Sequence, residues 1–246
     1  TLSTLGDHTR AAEAVQAVIR KFPENTDALL LLSEIHRKEG KAEKALQALE
    51  KAAESMPESN SLAVERARLH IETGQHEKAL ELLEPLSDLN PEDEDLWSLI
   101  SLAHSAGKDL NKAMQAMTRA ARLAPRNHSF RPELGILAFE LGQLDRALDE
   151  LDTAAELNPE SSSIHMLRGD IFEARRQYTR ALEAYQKAIQ LDPDQSDSHF
   201  KAGLILKQMK AYPEAGMMLK QAASINSQDP DIMHQLAAVR ALELVH

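Results

Sequence analysis

The stretch "LNPE" at residues 89–92 occurs again at residues 157–160, and "LDPD" at 191–194 is a close variant. Six prolines stand at the same point of this phrase, each 34 residues after the last: Pro23, Pro57, Pro91, Pro125, Pro159 and Pro193. A fixed period of this length is typical of arrays that stack one supersecondary unit several times. The sequence therefore predicts an array of repeats, and the residues between the prolines indicate what each repeat contains.

Two columns of small residues follow the same period. One holds only alanine, at Ala11, Ala45, Ala79, Ala113, Ala147, Ala181 and Ala215. The other holds Ser33, Ala67, Ser101, Gly135, Gly169, Gly203 and Ala237. Apolar residues around the columns have helical spacing, and small side chains at facing positions let two helices approach closely. Each repeat is therefore predicted as two antiparallel helices, with no β-strand within 26–229.

Glycine and proline predict where these helices end. Gly40, Gly74 and Gly142 share one column, and glycine readily takes the left-handed conformation that ends a helix. Proline cannot continue a helix, because it lacks an amide proton and its ring clashes with the preceding turn. We expect turns near residues 40, 74, 107, 142, 176 and 210, and breaks between repeats at the prolines.

Composition narrows the classes of function. Of the 246 residues, 43% are hydrophobic and 4% aromatic, and the formal net charge is −11. This negative charge repels phosphate backbones, so no nucleic-acid partner is expected. No apolar run is long enough for a membrane span, so no membrane insertion is expected. The absence of cysteine excludes disulfides and leaves both cytoplasm and periplasm open as compartments.

Sequence motifs for catalysis are also missing. There is no HExxH pair, no phosphate-binding glycine loop and no G-x-S-x-G. We expect a chain that is not an enzyme and has no cofactor and no metal ion. Because the chain begins at Thr1 rather than Met, we interpret it as a fragment, and a catalytic or membrane domain beyond it stays open.

The second half of each repeat resembles a known family. "ALEAYQKAIQLDPD" at 181–194 and "LGQLDRALDELDTAAELNPE" at 141–160 are similar to the second helix of the tetratricopeptide repeat (TPR). The resemblance implies an all-α fold, a right-handed superhelical solenoid of antiparallel helix pairs. It covers 1–246 as a single solenoid, with a partial repeat at 1–25, full repeats at 26–59, 60–93, 94–127, 128–161, 162–195 and 196–229, and a partial repeat or cap at 230–246.

Three features depart from the family pattern. Trp97 alone supplies the tryptophan usual at position 4 of a repeat. The turn glycine is replaced in three repeats, by Lys108, Arg176 and Lys210. The aromatic residue of position 11 is replaced by His36, His70 and His104. Equivalent positions of neighbouring repeats lie about 8–10 Å or more apart, too far to share one zinc ion. We therefore interpret these histidines as packing residues.

The family holds partners on its concave face, which the first helix of each repeat lines. Positions 2, 5, 9 and 12 of each first helix project onto that face. The candidate partner-binding residues are Arg68, Leu102, Ile136, Phe139, Met166, Asp170, Phe200, Leu204 and Lys207. The apolar members suit an amphipathic helix or an extended apolar segment, flanked by Arg68 and Lys207. The alternative for each apolar residue is that it packs between adjacent first helices.

Three classes of function stay open. The first is a protein–protein interaction scaffold that binds a peptide or helix of a partner in the concave groove. The second is the targeting or substrate-recruiting arm of a larger enzyme, or of a secretion or assembly protein. The third is a self-association module, which light scattering over a concentration series would distinguish from the other two.

Overall fold

The computed structural model describes residues 8–56 and 59–244, and every regular element in these two ranges is an α-helix. The all-α prediction is confirmed for these residues. The helices are α1 (His8–Lys21), α2 (Thr26–Lys38), α3 (Ala42–Ser55), α4 (Asn60–Glu72), α5 (His76–Leu89), α6 (Glu94–Ala106), α7 (Leu110–Leu123), α8 (Phe130–Glu140), α9 (Leu144–Leu157), α10 (Ser162–Ala174), α11 (Tyr178–Leu191), α12 (Ser196–Gln208), α13 (Tyr212–Ile225) and α14 (Pro230–Glu243).

The chain forms two compact units, Thr1–Ala124 and Pro125–His246. The first unit contains α1 to α7 and the second contains α8 to α14. Within each unit every helix packs on the next one along the chain, so each unit is a stack of antiparallel helix pairs. The even-numbered helices are the first helices of repeats and the odd-numbered ones are the second helices. That 1–246 forms one continuous solenoid stays a prediction.

Helix ends follow local sequence signals. The side chain of Asp93 accepts a hydrogen bond from the amide of Leu96 at 3.0 Å and so caps the start of α6. Second helices stop two residues before a proline of the series, as α5 does at Leu89 before Pro91. The predicted breaks are thereby confirmed, except at Pro57, which lies outside the described residues.

A residue in the left-handed conformation follows each first helix from α2 to α12. Three of these residues are glycines, with φ of 70° at Gly40, 75° at Gly74 and 72° at Gly142. The other three carry side chains, with φ of 65° at Lys108, 59° at Arg176 and 62° at Lys210. In 94–127 the left-handed residue is Lys108, which stands at the position of the turn glycine and directly after Gly107, where the turn was predicted. The packing of the two helices sets the turn position, even where no glycine stands there.

Replacing Lys108, Arg176 or Lys210 by glycine is expected to stabilise the protein. An L-residue costs roughly 1–2 kcal/mol in the left-handed conformation. Arg176→Gly should therefore raise the free energy of unfolding by up to about 1 kcal/mol, after allowing for the greater freedom of glycine in the unfolded chain. Urea unfolding measures this change. Gln177→Gly is the control, because Gln177 has φ of −89° and gains nothing from glycine; equal effects of the two substitutions would contradict the explanation.

The two columns of small residues form the contact between the helices of one repeat. Ala45, Ala79, Ala113, Ala147, Ala181 and Ala215 have no exposed surface. Ser101 Oγ donates a hydrogen bond to the carbonyl of Ala113 at 2.8 Å, so these columns touch. Ala11 on α1 is only partly buried and Ala237 on α14 is exposed, since no helix among the described residues completes their repeats.

Candidate partner-binding face

Seven of the predicted partner-binding residues lie on first helices of the second unit. Ile136 and Phe139 are on α8, Met166 and Asp170 on α10, and Phe200, Leu204 and Lys207 on α12. All seven are partly buried. We call the surface defined by these seven residues the first-helix face of the second unit. Arg68 on α4 and Leu102 on α6 belong to the first unit and are no part of this face.

Phe200 contributes to the core as well as to this face. Its ring packs against a cluster that contains Leu206 of α12, Leu219 of α13, and Leu236 and Val239 of α14. The ring therefore helps to join one repeat to the next. Phe200 therefore packs between helices, which was the alternative to partner binding, and it also remains partly exposed on this face.

Asp170 is engaged by two neighbouring side chains. The phenol of Tyr185 donates a hydrogen bond to Oδ1 of Asp170 at 2.7 Å and also reaches Oε2 of Glu173 at 3.0 Å. Lys201 Nζ on α12 donates to the same Oδ1 of Asp170 at 2.7 Å. Burial and the two carboxylates raise the pKa of Tyr185, so the phenol keeps its proton and acts as a donor. These contacts link α10, α11 and α12 through charged and polar groups.

Gly169 makes room for this network. A β-carbon at Gly169 would lie 2.6 Å from Cδ1 and 2.8 Å from Cζ of Tyr185, well inside the separation of about 3.5–4.0 Å at which carbon atoms pack. The Tyr185 ring, which is fully buried, can therefore cross under α10 only where no side chain stands. The sequence predicted the close approach at Gly169 but not that a tyrosine fills it.

Lys207 is also held within the second unit. Its Nζ donates a hydrogen bond to Oε1 of Gln235 on α14 at 2.7 Å. The contact joins two neighbouring first helices, α12 and α14. A partner that uses Lys207 has to share this ammonium with Gln235.

The two predicted residues of the first unit are more exposed. Leu102 keeps 52% of its surface exposed. Arg68 Nε lies 3.8 Å from Oε1 of Glu65, and Arg37 Nη1 lies 3.8 Å from the other oxygen of the same carboxylate. Exposed pairs of this kind contribute little, typically under about 1 kcal/mol. Arg68 can therefore leave Glu65 at small cost.

The position-11 histidines are packing residues, as predicted. His36, His70 and His104 keep 7%, 2% and 8% of their surface exposed. Burial lowers the pKa of His70 and of His104 below the usual 6.5, because a charged imidazolium is poorly solvated there. Nδ1 of His70 is buried and has no hydrogen-bond partner among the residues that the structure describes.

These two histidines predict acid sensitivity. Between their lowered folded pKa and the unfolded value of 6.5, the unfolded chain binds more protons, so stability is present above that interval and is lost as pH falls through it. The urea concentration at the unfolding midpoint should decrease as the pH is lowered from about 7.5 to about 5.5. The His70→Phe/His104→Phe variant should show a smaller fall over the same interval. An equal fall in both proteins would contradict this assignment.

The side chains at position 4 of three repeats each make the same kind of hydrogen bond, to the carbonyl of the preceding proline of the series. Trp97 Nε1 donates to the carbonyl of Pro91 at 3.1 Å, and Nε2 of His199 lies 2.9 Å from the carbonyl of Pro193. His165 is bonded in the same way to Pro159. From the sequence only Trp97 matches the tryptophan usual at position 4, and the hydrogen bond was not predicted, although His165 and His199 follow Trp97 by multiples of the 34-residue period.

Other kinds of site were also sought in the part of the chain that the structure describes. Within residues 8–56 and 59–244, no three side chains of histidine, aspartate or glutamate are grouped so that they could hold a metal ion. None of the helices in these ranges has the length and apolar character required to cross a bilayer.

Stacked helix pairs with a 34-residue period define a helical repeat protein. Three family models described as tetratricopeptide repeat match the sequence, one at residues 1–60, 133–196 and 174–230, one at 36–103 and one at 94–127. The chain belongs to the tetratricopeptide repeat family. Comparison with curated proteins gives no match.

Solved structures of TPR proteins have a similar fold. A tetratricopeptide repeat protein from Parabacteroides merdae has a TM-score of 0.75 and 22% identity, with 96% of this chain and 93% of that chain covered. MamA from Desulfovibrio magneticus RS-1 has a TM-score of 0.63 and 20% identity, over 69% of this chain and 97% of that chain. YrrB, described as a TPR protein with an unusual peptide-binding site, has a TM-score of 0.59 and 21% identity, over 77% of this chain and 97% of that chain. At these identities the likeness extends to the fold alone.

Proposed function

We propose that the chain is a non-catalytic protein–protein interaction scaffold that holds a peptide or helix of a partner on the first-helix face of the second unit. One observation carries this proposal. Three successive first helices each present partly exposed apolar side chains at position 5, 9 or 12 of the repeat: Ile136, Phe139, Met166, Phe200 and Leu204. Such a recurring apolar surface on a chain of net charge −11 is explained by a partner that covers it.

The side chains of the face suit a particular partner chemistry. Phe139 is the natural anchor, because aromatic residues carry much of the energy of interfaces and Phe200 is already engaged in the core. Asp170, Lys201 and Lys207 add charges of both signs beside the apolar residues. An amphipathic helix, or an extended apolar segment with a few polar side chains, complements this arrangement.

The chemistry of the Asp170 network supports a binding role rather than catalysis. A general base needs a free acceptor that can take a proton near neutral pH. The Tyr185 phenol has a raised pKa, and the Asp170 carboxylate already accepts hydrogen bonds from Tyr185 and Lys201. These groups therefore stabilise the stack of helices and present fixed charges. The description of YrrB as a peptide-binding TPR protein agrees with such a role.

Serine substitutions on the face test the proposal. The chain is immobilised and the proteins that it captures from a cell lysate are compared for the wild type, Phe139→Ser and Met166→Ser. We expect both variants to lose the specifically captured proteins while melting close to the wild type. Met217→Ser is the control, since Met217 is 58% exposed on the second helix α13. Unchanged capture by the face variants, or equal loss in Met217→Ser, would refute the proposal.

We also propose Arg68 and Leu102 as partner contacts of the first unit. Leu102→Ser removes an exposed apolar side chain and is expected to cost little stability. The same capture assay tests it separately, because the substitution leaves the second unit unchanged.

A further inference from the structure

A cleft of the first unit combines an apolar floor with basic walls. It has a volume of about 370 Å³ and lies between α1, α2 and α3. Leu29 and Leu32 of α2 form its floor. Arg20 of α1 stands on one wall, and Lys44 and Lys51 of α3 stand on the other. Among the residues that the structure describes, no acidic side chain lines this cleft.

The three cations of this cleft lack partners among residues 8–56 and 59–244. No ion pair or hydrogen bond of the described side chains involves Arg20, Lys44 or Lys51. Other basic residues of the same repeat are paired, as Lys38 is with Glu34 at 2.7 Å. In a chain with an excess of acidic residues, three unpaired cations around one apolar cavity form a local region of opposite charge.

The equivalent cleft between α5, α6 and α7 shows what such cations otherwise do. Lys112 and Arg119 occupy the repeat positions of Lys44 and Lys51. There, however, the opposite wall carries Glu84 and Asp88. Arg119 also lies 4.0 Å above the Trp97 ring and donates to a backbone carbonyl, and Lys112 lies 3.5 Å from Asp109. The cations of this second cleft have partners within the protein, whereas those of the first cleft have none within residues 8–56 and 59–244.

We propose that the cleft between α1, α2 and α3 binds an acidic helical segment of a partner protein, with an apolar side chain inserted between two carboxylates. Lys44 and Lys51 are seven residues apart and stand on one side of α3, about 10.5 Å apart along its axis. Two glutamates at i and i+7 of a helical ligand have the same spacing and also share one face. An apolar side chain between them reaches Leu29 and Leu32, and Arg20 faces the ligand from the other wall.

This site is independent of the first-helix face of the second unit. Its walls come from second helices, and all its residues belong to the first unit. A failure of one proposal therefore leaves the other standing.

The test uses a designed probe and the whole chain. The probe is a fluorescein-labelled, alanine-based helical peptide with glutamate at i and i+7 and leucine at i+3 and i+4, and the matched peptide carries glutamine in place of both glutamates. Fluorescence anisotropy should show that the wild type binds the glutamate peptide about tenfold more tightly at low salt. The preference should shrink as salt is added, because exposed charges are screened.

A charge-matched pair of variants decides where the probe binds. Lys44→Gln/Lys51→Gln should reduce affinity for the glutamate peptide about tenfold, to the level of the glutamine peptide. Lys78→Gln/Lys112→Gln removes two lysines of the same unit and the same repeat position, and should leave affinity unchanged. Circular dichroism checks that the helices of both variants are intact.

Three results would overturn the proposal. Equal losses in the two variants would show an effect of net charge alone. No preference of the wild type for the glutamate peptide would show that the cations do not select carboxylates. Displacement of the peptide by inorganic phosphate at equal concentration would show a site for small anions rather than for a protein segment.

Discussion

Gly169→Ala is expected to lower the free energy of unfolding by about 2 kcal/mol. Alanine in the middle of a helix ordinarily stabilises it by about 1 kcal/mol relative to glycine. At Gly169 the new β-carbon would lie 2.6 Å from Cδ1 of Tyr185, so the fully buried ring would have to shift. Overpacking of this kind costs about 3 kcal/mol at the upper end of its usual range, so the clash exceeds the gain in helix propensity.

Gly216→Ala is the matched control for this substitution. Gly216 lies in the helix α13 of the same unit, and its nearest neighbour is Oε1 of Glu243, at the end of a flexible side chain. Since that carboxylate can rotate away, Gly216→Ala should be neutral or stabilise by up to about 1 kcal/mol. Urea unfolding at neutral pH compares the two variants.

A double-mutant cycle identifies Tyr185 as the cause. Tyr185→Ala alone is expected to destabilise by about 3–5 kcal/mol, because it leaves a cavity and removes the donor to Asp170. In the Tyr185→Ala background, Gly169→Ala should no longer destabilise. The same loss of stability in both backgrounds would exclude the ring as the cause.

Ala147→Leu is expected to destabilise the protein by about 3 kcal/mol, more than Leu144→Ala does. Ala147 has no exposed surface, and its carbonyl stands 3.5 Å from the position of a β-carbon on Gly135. A leucine there forces α8 and α9 apart. Leu144 is the first residue of α9 and is only partly buried, so its truncation removes less apolar contact. We expect it to lower the free energy of unfolding by about 1 kcal/mol.

Thermal and urea unfolding of the two variants check this ranking. A variant with Leu148→Ala, at a nearly buried position of the same helix, gives the cost of an ordinary cavity for comparison. Equal melting temperatures for Ala147→Leu and Leu144→Ala would mean that the alanine column is not the closest helix contact.

The repeat architecture follows from the sequence alone. Pro91 and Pro159 recur at a fixed period, and the residues that end and pack helices recur with them. Each repeat makes its main contacts with residues near it in the chain, so local signals are enough to specify it. For the same reason the burial of His70 and the left-handed turn at Gly142 could be predicted.

The details of the candidate sites depend on contacts between repeats. Asp170 meets Lys201, which is 31 residues later, and Phe200 packs against α14. A linear period identifies which face a residue occupies, but not which neighbouring side chain neutralises or covers it. The period therefore places Asp170 and Phe200 on the groove face, and the structure adds the neighbouring side chains that contact them within the stack.

The sequence by itself determined the helix pairs, their turns and the columns of small residues, because these depend on spacing within one repeat. The tertiary structure alone decided that Tyr185 crosses under Gly169, and that Lys44 and Lys51 beside an apolar cleft have no ion-pair partner among the described residues. Each of these features arises where side chains from different helices compete for the same space or the same charge. The repeat pattern of the sequence does not indicate which side chains of different helices contact each other.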